Sequence, residues 1–464
     1  MGKNGGTEIR GRNPLRVLGA DLKDIGVTFA QGDWKTRISF VIMGFGQLMR
    51  GQLVRGIAFL GAQAALLWLI FGFGMQYLGK FVTLGEAGRG FNPDGTMSYG
   101  DNSFLILLYS LLTVVMIAAL IFLWRVNVRS NRRAQLTLEA GKHLPSNRKD
   151  LQSLLDEHFD KTLLALPVLG IFVFTMLPII FMIFISFTSY DSDHQPPAKT
   201  FDWVGLQNFR NIFTVGGDGY GGTFFQVLLW TLIWALFATF LNYFLGMAVA
   251  ILINKREVKL KKLWRTILVL TIAVPQFVSL LYVGKMFAND GIVNSLLLRW
   301  GWISKAIPFW TNPTYARILI IVINLWVGIP YLMLIATGLL MNIPADLYES
   351  ARMDGANSWQ MFWSITFPYM LFVTGPFLLT QFIGNLNNFN VIFLLNQGGP
   401  KSMNLKGNAG YTDLLVTWLY KMTVTDSNYK MAAVIGIMVF LVTAIISLVV
   451  YNVLPSVRDE EGFQ

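Results

Sequence analysis

The chain has 464 residues and a net charge of +11, and it contains no cysteine. Only 14% of its residues are charged while 54% are hydrophobic, whereas a soluble globular domain carries roughly 25% charged residues. The composition therefore excludes an ordinary soluble protein, and the lack of cysteine excludes a disulfide framework and thiol catalysis.

Long apolar runs predict an all-α polytopic membrane protein. A run of about 20 apolar residues can cross the ~30 Å hydrocarbon core of a bilayer. Eight such runs predict eight transmembrane helices, near 57–78, 103–124, 162–187, 225–253, 265–288, 316–341, 369–395 and 432–453. The apolar stretch 37–59 is interrupted by Arg50 and Arg55, which indicates an interfacial amphipathic segment before the first span.

The loops between these runs predict the topology. Lys and Arg are concentrated in segments 1–56, 125–161 and 254–265, and cytoplasmic loops carry an excess of these residues. We therefore expect a protein of the cytoplasmic membrane with both termini in the cytoplasm. The polar start of the chain does not predict a removable signal peptide. The expected organisation is a cytoplasmic and interfacial segment 1–56, two N-terminal spans in 57–124, a cytoplasmic linker 125–161, a six-span domain 162–455 and a cytoplasmic tail 456–464.

A short polar unit, YESARMDGANSWQMFWSITFPYM at 348–370, interrupts the apolar runs on the predicted cytoplasmic side. Pro344 suits the start of a helix, and Gly355 in a DG turn suits its end. Ser358 then predicts the cap of a second short helix that ends at Pro368. Two interpretations remain open: a connector that packs only against its own bundle, or a docking element for a soluble partner.

Polar side chains inside two of the predicted spans share one helix face each. The spacing i, i+4 and i+7 places residues on one side of a helix, and the two sets are Asn324, Gly328 and Tyr331, and Gln381, Asn385 and Asn388. Amide groups donate and accept hydrogen bonds and aromatic faces stack on sugar rings, so the sets predict a pocket for a neutral polyhydroxylated ligand. The alternative is hydrogen bonding between helices, which is common in membrane proteins.

The polar unit resembles a known motif. The residues Glu349-Ser350-Ala351 and, after two positions, Asp354-Gly355-Ala356 resemble the EAA loop of ABC importer permease subunits, with Ser350 in place of an alanine. The resemblance implies that the loop at 344–368 couples to a separate ATP-hydrolysing subunit through these six residues.

Three further stretches extend the resemblance over roughly residues 160–455. NLWVGIPY, QFIGNLNNFNVIFLLNQGGP and GYTDLLVTWLY are similar to MalF-type subunits of maltose/maltodextrin importers. The resemblance implies a six-span permease core plus two N-terminal spans, and a sugar pocket lined by the two polar sets. Gln381 stands where a small hydroxyl residue is usual, and Gly384 where an aromatic is usual; both departures bear on the exact sugar.

The resemblance also implies partners. These are a second, MalG-like permease subunit, two ATP-binding subunits that use ATP and Mg, and an extracellular sugar-binding protein. The connection 188–223 is too short for an inserted domain. In this the chain resembles the shorter form found in Gram-positive bacteria, and that resemblance implies a binding protein that is a lipoprotein. No nucleic acid partner is expected, since the basic residues lie in short loops between spans.

The sequence predicts a transport subunit, not an enzyme. It has no phosphate-loop motif and no residues arranged for catalysis or metal binding, so we expect no cofactor in this chain. The predicted function is import of a maltodextrin-like oligosaccharide. The alternatives are another neutral oligosaccharide and, with less support, a secondary transporter, for which the spans carry few acidic residues.

Overall fold

The computed structural model describes residues 23–86, 90–91, 97–98, 100–157, 159–255 and 257–453. The predicted tail 456–464 and the first 22 residues of the predicted N-terminal segment lie outside this part of the chain. Two compact units are present: unit 1 extends to Met182 and includes His194–Trp203, and unit 2 comprises Ile183–Asp193 and the chain from Val204 onward.

Seven helices in the described residues are long and apolar enough to cross a membrane. In chain order they are span 1 (Leu53–Leu78), span 2 (Ser103–Glu139), span 3 (Phe159–Ile185), span 4 (Gly221–Asn254), span 6 (Pro313–Leu340), span 7 (Ser358–Asn396) and span 8 (Tyr429–Asn452). Span 5 consists of two helices, Lys261–Ala273 and Gln276–Met286, bent by 91°. The predicted helical membrane fold is confirmed, and the count reaches eight when the bent pair is taken as one span.

The span predicted near 265–288 is not one straight helix. Val274 adopts an extended backbone conformation, with φ −82° and ψ 130°, because the ring of Pro275 disfavours a helical conformation in the residue before it. Pro275 also lacks the N–H that would continue the hydrogen-bond pattern, so a new helix begins at Gln276.

Spans 3 and 7 accommodate proline without breaking. In each, a five-residue π-helical segment, Phe172–Met176 or Phe362–Thr366, ends two residues before a proline, Pro178 or Pro368. The wider π turn relieves the clash between the proline ring and the carbonyl four residues earlier. The prediction that Pro368 ends a helix is therefore wrong, since the helix continues to Leu386.

Unit 1 is built around spans 1 and 2. Its helices are Trp34–Ile38, Phe45–Leu48, Leu53–Leu69, Met75–Leu78, Ser103–Glu139, Asn147–Leu155 and Phe159–Ile171, with π-helical segments at Ile70–Gly74 and Phe172–Met176 and the helix Leu177–Ile185 shared with unit 2. Two strands, Gly90–Phe91 and Met97–Ser98, pair in an antiparallel arrangement and are a small departure from the all-α prediction.

The helix of span 2 extends well into the predicted linker 125–161. Asn127 in this extension accepts a hydrogen bond from the backbone N–H of Gly44 at 3.0 Å, and Asn131 accepts one from Arg50 at 2.9 Å. The side chain of Arg50 is 1% exposed and pairs with Asp33 at 2.5 Å. Arg50, which the sequence suggests is a break in an interfacial segment, is thus buried in a polar network that holds this segment against span 2.

Unit 2 contains the remaining spans. Its helices are Gln207–Phe213, Gly221–Leu236, Asn242–Asn254, Lys261–Ala273, Gln276–Met286, Ile292–Arg299, Pro313–Leu340, Ala345–Met353, Ser358–Met361, Phe367–Leu386, Phe389–Asn396, Leu415–Val424 and Tyr429–Val453, with π-helical segments at Phe237–Leu241 and Phe362–Thr366. A core of Trp230, Trp234, Ile320 and their neighbours lies between spans 4 and 6, and Tyr243, Met333 and residues around them form a second cluster that reaches span 7.

Candidate functional site

Span 4 supplies two polar residues that the sequence analysis did not single out. Thr239 lies in the π-helical segment Phe237–Leu241, and Asn242 follows it directly. Both are buried, with 2% and 4% of the residue exposed. They are only two residues, three positions apart, and do not make up a set at i, i+4 and i+7, so only an inspection of every amide and hydroxyl in the spans would have found them.

Asn385 of span 7 contacts span 4 through two hydrogen bonds. Its side-chain Nδ2 donates to Thr239 Oγ1 at 3.0 Å, and its backbone carbonyl accepts from Trp234 Nε1 at 3.1 Å. The amide is therefore fixed in place by residues of a neighbouring helix.

Asn388 does not lie on the same continuous helix as Asn385, and the prediction of a single helical face is corrected. The helix ends at Leu386 and resumes at Phe389. Asn388 caps the second piece by accepting a hydrogen bond from the backbone N–H of Val391 at 3.2 Å. The break still brings the two amides together, with Asn388 Nδ2 3.4 Å from Asn385 Oδ1.

Span 6 places its three predicted residues in different surroundings. A Cβ built on Gly328 would lie 2.5 Å from Asn242 Nδ2, so this glycine permits close approach of spans 4 and 6. Asn324 is buried at 6% exposure, whereas Tyr331 is 48% exposed. Gly328 is therefore better explained by helix packing than by ligand contact.

Asn242 itself has an unusual hydrogen-bond pattern. Its Nδ2 donates to the carbonyl of Ala238 at 2.8 Å, while its Oδ1 is buried and has no hydrogen-bond partner in the described structure. A buried acceptor without a partner costs free energy, which makes this oxygen a natural place for a hydroxyl or a water to bind.

Asn385 of span 7 and Gly328 of span 6 thus meet the same short segment of span 4, at Thr239 and Asn242 respectively. The groups brought together there are amides and hydroxyls. They can donate to and accept from sugar hydroxyls, and they carry no charge that would bind a coupling cation.

The loop at 344–368, named the coupling loop from here on, has its first turn where the sequence predicts it. Pro344 immediately precedes the helix Ala345–Met353. Gly355 has a φ of +80°, and its N–H and that of Ala356 donate to the carbonyls of Arg352 and Ala351 at 3.0 and 2.9 Å. This is a Schellman motif, which ends a helix with a left-handed residue.

The cap of the second helix differs from the prediction by one residue. Asn357, not Ser358, is the N-cap, and it forms a reciprocal capping box with Gln360, with both bonds at 2.9 Å. Tyr348 and Thr366 share a hydrogen bond of 2.8 Å between their hydroxyls, which ties the first helix to span 7.

Most of the coupling loop is exposed. Large apolar side chains are open to solvent at Met353 (88%), Trp359 (69%) and Leu347 (49%). The residues of the motif divide into exposed Glu349, Ser350, Asp354 and Gly355 and half-buried Ala351 and Ala356. A surface that combines apolar anchors with acids suits contact with another protein.

The connection between spans 7 and 8, residues 397–428, holds a buried ion pair. Asp413 pairs with Lys421 at 2.5 Å, with 0% and 10% of the side chains exposed. Asp413 also accepts hydrogen bonds from the N–H of Gly410 at 2.6 Å and from Thr417 Oγ1 at 2.8 Å. Burial raises the pKa of the Asp413 carboxyl above its usual range, and the charge of Lys421 opposes that rise.

Comparison with known proteins assigns the family. Residues 242–459 match the family described as binding-protein-dependent transport system inner membrane component. A galactooligosaccharides transport system permease protein, GanP of Bacillus subtilis, is 35% identical over 424 residues, which cover 90% of this chain and 97% of that protein. The chain belongs to this transport family. It is a multi-pass membrane transport subunit and not an enzyme.

Other relatives of this permease are named for other sugars. The maltodextrin transport system permease protein MalC of Streptococcus pneumoniae is 33% identical over 92% of this chain and 97% of its own length. The maltose/maltodextrin permease protein MalF of Escherichia coli is 35% identical over 53% of this chain and 48% of its own length.

Solved structures support the fold. A bacterial ABC transporter involved in the import of the acidic polysaccharide alginate includes a chain that matches this permease with a TM-score of 0.53 at 22% identity, covering 66% of this chain and 98% of that one.

Proposed function

We propose that this permease subunit imports a neutral oligosaccharide, with a maltodextrin-like glucan as the favoured substrate. The observation that carries the proposal is near full-length similarity to permeases named for maltodextrin and for galactooligosaccharides. The uncharged groups around Thr239 and Asn242 agree with a ligand rich in hydroxyls. Another neutral oligosaccharide is the second candidate, since the relatives carry both names.

The proposed sugar-binding residues are the two predicted sets with their roles revised. Asn324, Tyr331, Gln381, Asn385 and Asn388 would contact the sugar. Gly328 would act indirectly by allowing spans 4 and 6 to approach at Asn242. Asn242 and Thr239 are additional candidates because they adjoin both sets.

Gly384 bears on the size of the substrate. It is exposed, and a Cβ built there would meet nothing within 4 Å. MalF-type subunits usually carry an aromatic at this position. The open glycine would therefore leave room for a longer or bulkier sugar.

The coupling loop is proposed to dock on an ATP-binding subunit. Glu349 would face a basic residue of that subunit, with Ser350, Ala351, Asp354, Gly355 and Ala356 shaping the contact. In the proposed topology the loop and both termini lie in the cytoplasm. ATP and Mg would be bound by two such subunits, and a MalG-like second permease and an external lipoprotein that binds the sugar would complete the assembly.

Transport would follow alternating access. Closure of the ATP-binding subunits would move the coupling loop, and the loop would reorient spans 4, 6 and 7 around the sugar. The unbroken helical run from Ser358 to Leu386 supports this, since a displacement of residues 358–366 would be passed along it to Asn385. A secondary transporter is disfavoured, because the polar groups in these spans offer no charge for a coupling ion.

Charge reversal in the coupling loop tests the proposal. Glu349→Lys is expected to abolish both maltodextrin uptake and co-purification of an ATP-binding subunit, because it places a like charge against the partner. Glu257→Lys, at an exposed position outside the loop, is the matched control and should leave both unchanged. Normal uptake and normal co-purification with Glu349→Lys would refute the coupling role.

A further inference from the structure

Unit 1 contains a cavity of about 740 Å³ between spans 1 and 2. The residues proposed to bind sugar all lie in unit 2, so this cavity is a separate feature. Its walls come from the start of span 1, the extended end of span 2 and the chain that follows span 2.

The polarity of the cavity is graded along the helices. One end is lined by the guanidinium-bearing side chains Arg55, Arg129 and Arg133, and the other by apolar residues that include Ala62 and Leu123. Seven residues separate Arg55 from Ala62, about 10 Å along a helix, and ten separate Leu123 from Arg133, about 15 Å. Both helices therefore change from apolar to basic toward the same end of the cavity, over about 10–15 Å.

This change from apolar to basic residues matches the change from acyl chains to headgroups at a membrane surface. Span 2 has 37 residues, about 55 Å of helix, which exceeds the ~30 Å hydrocarbon core. Leu123 lies at the end of the apolar run and Arg133 beyond it. The basic end of the cavity therefore lies at the level of lipid headgroups, and the apolar end at the level of acyl chains.

The chain after span 2 closes the basic end. Asn147 accepts a hydrogen bond from the backbone N–H of Val54 at 3.3 Å, which ties this segment to span 1. Leu144 and Pro145 then contribute to the cavity wall. The cavity is a built pocket with three walls, not a groove between two helices.

We infer that this cavity binds one anionic phospholipid, with the phosphate near Arg129 and Arg133 and an acyl chain along Ala58 and Ala62. Guanidinium groups bind phosphate through paired N–H donors, and basic pockets between membrane helices bind acidic headgroups. None of the described lining residues is acidic, so a net negative lipid is favoured over a zwitterionic one. The apolar half selects a lipid over free phosphate, which would leave that half empty.

Competition for a labelled lipid tests the inference. The full chain, purified in nonionic detergent, is titrated with phosphatidylglycerol labelled on its acyl chain, and unlabelled phosphatidylglycerol, phosphatidylcholine and inorganic phosphate compete for it. We expect phosphatidylglycerol to compete about tenfold or more better than phosphatidylcholine, on the order expected for several basic side chains, and inorganic phosphate to have no effect. Equal competition by the two lipids, or displacement by inorganic phosphate, would overturn the inference.

Two double variants separate the effect of the arginine charges on lipid preference from the effect of side-chain shape. Arg129→Gln with Arg133→Gln should remove the preference for phosphatidylglycerol, and the corresponding pair of lysine substitutions should retain it. Lys142→Gln with Arg148→Gln removes the same charge from exposed positions outside the cavity and should bind like the wild type. Loss of preference in this control would show a general surface effect and contradict the site.

Filling the apolar end provides a test that leaves every charge in place. Ala58→Trp should abolish binding of the labelled lipid, because the indole would occupy the acyl-chain path. Ala64→Trp, on the same helix but outside the cavity lining and exposed, should leave binding unchanged. Wild-type binding by Ala58→Trp would refute the proposed position of the lipid.

Discussion

The two polar segments at the ends of span 7 are stabilised in different ways. In the coupling loop, the Schellman motif at Gly355 and the capping box at Asn357 join residues three to five positions apart. In the connection between spans 7 and 8, Asp413 and Lys421 are buried together, and the carbonyl of Thr412 accepts a hydrogen bond from Trp230 of span 4 at 3.1 Å. The first segment is held mainly by local bonds and leaves Glu349, Met353 and Trp359 exposed for a partner, whereas the second is anchored in the core of unit 2.

The largest effect should come from breaking the buried ion pair. Lys421→Met leaves the Asp413 carboxylate buried without its partner, and such a loss costs about 3–5 kcal/mol of the free energy of unfolding. Denaturant unfolding of the purified protein measures this. Asp413→Asn combined with Lys421→Met removes both charges and should recover most of the loss. A loss below about 1 kcal/mol for Lys421→Met would show that the pair does not stabilise the connection.

A matched pair of glycine substitutions compares the two segments directly. Gly355 and Gly398 have φ of +80° and +76°, so an alanine at either adds backbone strain of about 1–2 kcal/mol. A Cβ at Gly355 would meet nothing within 4 Å, whereas a Cβ at Gly398 would overlap the Asp413 carboxylate. Gly398→Ala should therefore lower the free energy of unfolding by roughly 1–3 kcal/mol more than Gly355→Ala, because of overpacking. Equal losses of unfolding free energy would contradict the difference between the segments.

The capping box predicts a smaller and more local effect. Asn357→Ala should cost about 1 kcal/mol and speed amide hydrogen exchange at Ser358–Met361. Ser358→Ala is the control, because Ser358 lies within the helix and is not its cap. Faster exchange in the control than in Asn357→Ala would identify the wrong cap.

The smallest effect is expected where an ion pair is only partly buried. Asp33 pairs with Arg50 but its side chain is 35% exposed. Burial raises the pKa of Asp33, but hydrogen bonds to Thr36 and the charge of Arg50 outweigh it and lower the pKa overall.

The sign of this shift fixes its pH dependence. A carboxyl with a lowered pKa stabilises the folded state above its unfolded pKa of about 3.9, and this contribution is lost as the pH falls through the folded pKa. The melting temperature of Asp33→Asn should be slightly below that of the wild type at pH 7, and the difference should shrink as the pH falls below the unfolded pKa of about 3.9. A difference that grows on acidification would contradict the assignment.

The same contrast explains what could be predicted from the sequence. The coupling loop was predictable because its signals are local: a proline before the helix, a DG turn and a polar cap. The Asp413–Lys421 pair was not, since an aspartate and a lysine eight residues apart in a loop give no sign of burial.

Within the spans, prolines and asparagines show most clearly what could not be predicted from the sequence. Pro275 breaks a helix, while Pro368 does not because a π-helical segment precedes it. Both prolines are visible in the sequence, but the π segment depends on packing. Likewise Asn388 was assigned to a helical face, although its side chain caps a new helix, and the contact of Asn385 with Thr239 joins residues 146 positions apart.

Sugar uptake by one pair of variants tests the central proposal most directly. Asn385 and Asn387 are near neighbours. The side chain of Asn385 bonds to span 4, while that of Asn387 is exposed and donates to the carbonyl of Ile383 in the preceding turn. Uptake of labelled maltodextrin is measured in cells that depend on this permease, with equal amounts of each variant in the membrane. Asn385→Leu should reduce uptake about tenfold or more, the effect of losing a hydrogen bond worth about 1.5 kcal/mol, and Asn387→Leu should transport at the wild-type rate. Wild-type uptake by Asn385→Leu would contradict a sugar path between spans 4, 6 and 7.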